Sequence, residues 1–204
     1  DKIVKSYDKT GMVIGEAPLM KDLQDTTSVD LVTVNTVSIL AIFVIVMIVF
    51  KSISLPAILV TVIEFAIFVN MAFSYYRGIS QPFVAPIVVG TIQLGATVDY
   101  AILMTNRYKT ERMAGKEKHE AISIAHKTSF KSILTSGLSL FAATIGVALY
   151  SNIDMIRSIV ILLCRGAIIS MIIVLVLLPA MLTLFDKVIC YTTIGMRGCA
   201  KKQK

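Results

Sequence analysis

Pro82-Phe-Val-Ala-Pro-Ile-Val-Val-Gly-Thr-Ile-Gln-Leu-Gly-Ala-Thr-Val-Asp-Tyr-Ala-Ile-Leu-Met-Thr-Asn-Arg107 is the stretch that decides the fold. It is apolar for most of its length and contains no Lys or Arg before Arg107. A helix needs about 20 such residues to cross the roughly 30 Å of hydrocarbon in a bilayer. In lipid the backbone must satisfy its own hydrogen bonds, which makes a helix the spanning form at this composition. One residue breaks the apolar run: Asp99.

Four further runs of this kind flank it. The spans are read as Asp30–Phe50, Pro56–Tyr76, Pro82–Arg107, Ser132–Tyr150 and Ile159–Phe185. Each is apolar on nearly all sides, as a lipid-embedded helix should be. The 204 residues are 56% hydrophobic, against about 45–50% in an ordinary soluble domain. Mean hydropathy is +0.80. The fold class expected is therefore all-α integral membrane, a bundle of five transmembrane helices, with the lipid bilayer as its first partner. Residues 1–28 form a polar lead-in, 29–187 the membrane domain and 188–204 a basic tail.

The loops give the bundle a direction. If the chain alternates sides, thirteen of its 20 Lys and Arg fall on one side and six on the other. With acidic residues included, the first side carries +9 and the second −1. Basic loops stay in the cytoplasm. The expectation is an N-terminus outside, a cytoplasmic C-terminus, and residence in the plasma membrane of a bacterium. The formal charge of +7 then reflects sidedness rather than nucleic-acid binding, and no nucleic-acid partner is expected.

Outside the spans, a strand is expected around Gly11–Gly15 and a helix over Leu19–Asp25. The segment 109–131 reads as an amphipathic helix on the inner leaflet, with Ala114, Ala121, Ile122 and Ala125 on its apolar side. Starting at Asp1 without a basic leader or cleavage site, the chain is expected to be a piece of a longer polypeptide. Cys164, Cys190 and Cys199 have no framework spacing and are read as free thiols.

Three ionisable residues lie within spans, and such residues usually face protein or water. Asp99 is eight residues before Arg107, about 12 Å from that end of the helix. A carboxylate out of water favours its protonated form and gives the proton up when water reaches it. Asp99 is thus the candidate proton carrier, and the next residue, Tyr100, offers a hydroxyl to relay. Gln93 shares the Tyr100 stripe at i, i+7. On the fourth span, Ser132, Ser136, Ser139, Ala143 and Gly146 form a small, partly polar seam. Ser139 matches Asp99 in depth, with Thr135 and Ser136 one turn shallower, so all three are possible supports. The seam is equally what close helix packing requires. Glu64 is either a second proton carrier or a satisfied polar contact. Arg165 either snorkels or pairs with an unseen helix or a substrate headgroup.

There is no Walker loop, no dinucleotide fingerprint, no Ser-His-Asp arrangement and no metal-ligand cluster in the sequence. No enzyme, cofactor or metal site is expected. The energy source that remains is an ion gradient.

Several of these stretches resemble the resistance–nodulation–division superfamily, and within it the MMPL branch. Gln93-Leu-Gly-Ala-Thr-Val-Asp-Tyr-Ala-Ile-Leu-Met-Thr-Asn-Arg-Tyr108 looks like the family's Gly-x-x-x-Asp-Tyr helix. Thr135–Gly146 looks like the next helix, and Arg165–Ser170 with Leu178–Leu182 like the last. Gly15-Glu-Ala-Pro18 and Asp22 resemble the exit from the porter domain. The resemblance implies helices 2–6 or 8–12 of a twelve-helix transporter, and the short basic tail favours the last five. It also implies a proton relay at Asp99 and Tyr100, lipid or hydrophobic substrates, and a missing other half or second subunit as partner. The alternatives within the superfamily are a protein-translocation motor and a non-transporting, sterol-sensing-like lipid sensor. Met104-Thr-Asn-Arg107 departs from the run usual in the first of these.

Overall fold

The computed structural model describes residues 7, 15–78, 81–194 and 196. Six helices follow one another: α1 (Glu16–Phe50), α2 (Ser54–Tyr76), α3 (Ala85–Met113), α4 (Lys118–Tyr150), α5 (Asp154–Leu184) and α6 (Asp186–Thr192). The first five are long and apolar enough to cross a membrane. The expected all-α, five-span bundle is what the chain forms.

The helices run beyond the apolar stretches at several ends. Residues 16–29 continue α1 without a break, because nothing in them stops a helix once Pro18 is accommodated in the first turn. The segment 109–131 is divided by a turn at Ala114–Glu117. Its first residues end α3, and its remainder opens α4, continuous with the span beyond. Ala121 and Ala125 are buried there, so that part of the apolar side packs on protein. The strand expected at Gly11–Gly15 falls almost wholly outside the described residues, as do Cys199 and the end of the basic tail. Cys164 and Cys190 are both buried and take part in no disulfide among the described residues.

Helix α5 is the hub and packs on α2, α3 and α4. Two close approaches make this possible. A Cβ on Gly137 of α4 would sit 2.8 Å from Met171 Sδ of α5, so glycine there leaves room for the Met171 side chain between the two helices. A Cβ on Gly166 of α5 would sit 2.6 Å from both Asn70 Nδ2 and Gln93 Oε1. The main apolar core joins Leu59 and Ile63 of α2, Leu94 and Met104 of α3, and Val174 and Leu178 of α5. A smaller one joins Ala85, Val89 and Leu162.

Burial is uneven. Half of the most apolar window of α2 is buried, and 44% and 39% of those of α3 and α5, against 6% for α1 and 17% for α4. Helices α1 and α4 are therefore the flanks, and most of their apolar surface faces outward.

At the end carrying Lys51 and Arg112, α6 folds back on the bundle. Arg112 makes two bonds to Asp186, Nε to Oδ1 at 2.9 Å and an amino nitrogen to Oδ2 at 2.6 Å. The Tyr108 hydroxyl donates to the same carboxylate at 2.5 Å. All three residues are buried. The α1–α2 turn is clasped from the same side. Thr193 donates to Ser52 at 2.9 Å, the Ile194 amide to Lys51 O at 3.2 Å, and the Lys109 ammonium to Phe50 O at 2.8 Å. A segment whose composition reads as a basic tail thus begins as a structural clamp.

Candidate proton-relay face

Asp99 sits on the outward side of α3 and is exposed, although Val98 and Tyr100 beside it are half-buried and buried. Its position explains this. The buried residues of α3, such as Gln93, Thr97, Ala101 and Met104, cluster on one side of the helix, and Asp99 falls roughly opposite their centre at 100° per residue. Gly95, one turn earlier, is exposed on the same side, so the backbone around the carboxylate is bare. Among the described residues, no hydrogen bond or ion pair reaches the Asp99 side chain.

Tyr100 turns inward, and its ring is buried. Its hydroxyl lies near Ser136 on α4 without bonding to it. This places the α4 seam beside the Asp-Tyr pair. Ser132, Thr135, Ser136, Ser139 and Ala143 are all exposed, and the hydroxyl-bearing members line a shallow groove along α4. Two of those hydroxyls are turned back on their own helix. Thr135 donates to Lys131 O and Ser139 to Thr135 O, each at 2.8 Å. Ser136 is therefore the member of the seam placed near Tyr100, and neither it nor Ser139 bonds Asp99.

Gln93 and Arg165 belong to a different structure. Asn70 of α2 donates to Gln93 Oε1 at 2.8 Å, and Gln93 Nε2 donates to Ser170 Oγ of α5 at 2.7 Å. Arg165 Nε donates to Asn70 Oδ1 at 2.9 Å, and one of its amino nitrogens donates to Asn70 O at 2.8 Å and to Ser74 Oγ. Its guanidinium also lies 4.7 Å from the centre of the Phe73 ring. This ties α2, α3 and α5 together between the two apolar clusters. Gly166 is bare because the network occupies the space where its side chain would be. Arg165 thus pairs within the chain, with Asn70 and Ser74 of α2, rather than with the unseen helix or substrate headgroup expected from the sequence.

Asn70, Ser74 and Ser170 were not legible as members. An amide or hydroxyl in a span carries no charge to draw attention. Asn70 and Ser74 do stand one helical turn apart, but that spacing does not say which span they meet.

Glu64 is placed apart from both groups. It lies half-buried on α2 facing a cleft between α1, α2 and α3, and its Oε1 is buried with no hydrogen-bond partner among the described residues. The contact that would have made it a satisfied polar group is not formed.

Comparison with known proteins bears on this arrangement. The chain is 27% identical over 184 residues to the probable transport protein MmpL4 of Mycobacterium leprae, a stretch covering 85% of this chain and 18% of that protein. It is 25% identical over 179 residues to the siderophore exporter MmpL5 of Mycobacterium tuberculosis, covering 86% and 18%. It is 28% identical over 182 residues to a putative membrane protein of Streptomyces coelicolor, SCO6666, covering 86% and 25%. The chain thus spans about a fifth to a quarter of the length of these relatives, two of which are named as transport proteins rather than enzymes. The model of the MMPL family matches residues 4–201, nearly the whole chain. With its five spans and its Asp-Tyr helix, this multi-pass membrane protein belongs to the MMPL family.

Proposed function

We propose that the chain is the membrane motor portion of a proton-driven exporter of lipids or hydrophobic compounds, with Asp99 as proton carrier and Tyr100 as its relay. The observation that carries this reading is the contrast in pairing. The buried network around Gln93 is hydrogen-bonded within the chain, while Asp99 stands without a hydrogen-bond partner among the described residues on an exposed face between Gly95 and Leu103. An ionisable side chain left open at membrane depth is costly, and it is usually kept for ion movement or for a partner not yet in place. Here the two go together. The face of α3 and α4 receives another helical half, covalently linked or supplied by a second subunit, and the proton passes where the halves meet.

The charge distribution supports the sidedness: Lys51, Arg112 and the α6 end in the cytoplasm, and the start of α1 outside. The plasma membrane of a bacterium fits both this and the source of the relatives. The export direction is supported by the relative named a siderophore exporter. Asp99 lies about 12 Å along α3 from Arg107, close enough to the basic end for water to deliver or remove a proton.

The test uses inverted vesicles containing the complete protein. An imposed proton gradient should drive accumulation of a hydrophobic substrate, and a protonophore should abolish it. Accumulation that ignores the protonophore would rule the reading out.

A further inference from the structure

We propose that the cleft between α1, α2 and α3 is a binding site for a small lipophilic primary amine, with Glu64 as its counter-ion. The inference does not depend on the role of Asp99. Gly90, which lines the cleft, and Asp99 are nine residues apart on α3, so they face opposite sides of the helix at 100° per residue.

The cleft encloses about 170 Å³. A cavity of about 150 Å³ with apolar walls stays dry and takes up a molecule the size of benzene. The walls here are mostly of that kind, with Leu31, Ile67, Phe68 and Ile87 prominent. The Glu64 carboxyl lines these walls, and no described residue bonds to it; its Oε1 is buried away from the open space, which leaves the other oxygen to meet a ligand. Leaving such a group unpaired costs free energy, and the natural complement is a donor that brings positive charge.

The residues around the cleft do not supply one. No Lys or Arg lines it. Thr91, at its edge, spends its hydroxyl proton on Ile87 O at 2.8 Å. Asn35 also lines the cleft, with a neutral amide that can accept from an ammonium but brings no positive charge of its own. An alcohol would satisfy one acceptor and leave the charge uncompensated.

Depth selects the source of the amine. Glu64 is ten residues from Ser54 and twelve from Tyr76 along α2. That places it about 15–18 Å from either end, near the middle of the bilayer. A phospholipid amine is tied to a phosphate that would have to be buried with it. A free amine with a short apolar body can lose its proton, cross the lipid neutral and take the proton of the Glu64 carboxyl, leaving an ammonium–carboxylate pair. The space is also maintained by the sequence, since a Cβ on Gly90 would meet nothing within 4 Å. A larger residue there would fill the cleft rather than clash.

The test is photolabelling of the full chain in nanodiscs, with a diazirine-bearing hexylamine and the matching hexanol as probes. The amine should label α1 and α2 peptides containing Leu31, Ile67 or Phe68, and unlabelled hexylamine should compete. Glu64→Gln should cut amine labelling at least tenfold and leave the weak alcohol labelling unchanged. Gly90→Leu should cut it with Glu64 intact, at an unchanged melting temperature, which separates occlusion from misfolding. Asp99→Asn should keep full labelling. Equal labelling by amine and alcohol, or undiminished amine labelling in Glu64→Gln, would overturn the proposal. So would competition by phosphatidylethanolamine as effective as by hexylamine, because that would make the ligand a lipid headgroup.

Discussion

The Gln93 region and the Asp99 region share one helix, six residues apart and about 120° around it. They differ in completeness. Around Gln93, the polar side chains of three helices join in one hydrogen-bonded network, and the glycine they crowd is shaped to fit. Around Asp99, the neighbours a turn away are Gly95 and Ala96 on one side and Ile102 and Leu103 on the other, the surface is open and the carboxylate has no partner among the described residues. Polarity in a span therefore has two meanings here. Where partners lie within the chain it is architecture. Where they do not, it marks a face prepared for something else.

The contrast can be broken at several points. The largest effect on stability is expected at another completed cluster, Arg112 with Asp186 and Tyr108. Arg112→Ala leaves a buried carboxylate without its charge partner, which typically costs about 3–5 kcal/mol. Unfolding of the purified protein in graded detergent denaturant measures it, and a loss under about 1 kcal/mol would show that the cluster is not the clamp described.

The next effect is at Gly166. Gly166→Ala places a methyl group 2.6 Å from Asn70 and Gln93, so the network must shift or break. Overpacking of this kind costs about 1–3 kcal/mol. The same unfolding assay reads it. If Gly166→Ala is as stable as the parent, the network is looser than its distances imply.

These particular residues show what the sequence could and could not disclose. The five spans were legible because apolar runs of membrane length have few other uses. Asp99 was legible because a charge in such a run is conspicuous. The polar ends of α1 and α4 were legible as helix, over Leu19–Asp25 and within 109–131, but their continuity with the spans was not, since no apolar signal crosses the junction. The Gln93 network was hidden for another reason. It depends on which spans are neighbours, and no periodicity in α2, α3 or α5 reports that Asn70 will meet Gln93 or that Arg165 will meet Ser74. Arg112 was hidden among other basic residues, 74 positions before its partner Asp186. Glu64 was visible as a charge, but its isolation became evident only once its surroundings were.

The smallest stability effect and the largest functional one should coincide at Asp99. The decisive measurement is Asp99→Asn in the complete protein, with unfolding stability and proton-coupled export followed on the same preparation. An exposed isosteric change should alter stability by no more than about 0.5 kcal/mol, while proton-driven export should fall to background. Export that persists at the parent rate in a stably folded Asp99→Asn protein would contradict the account.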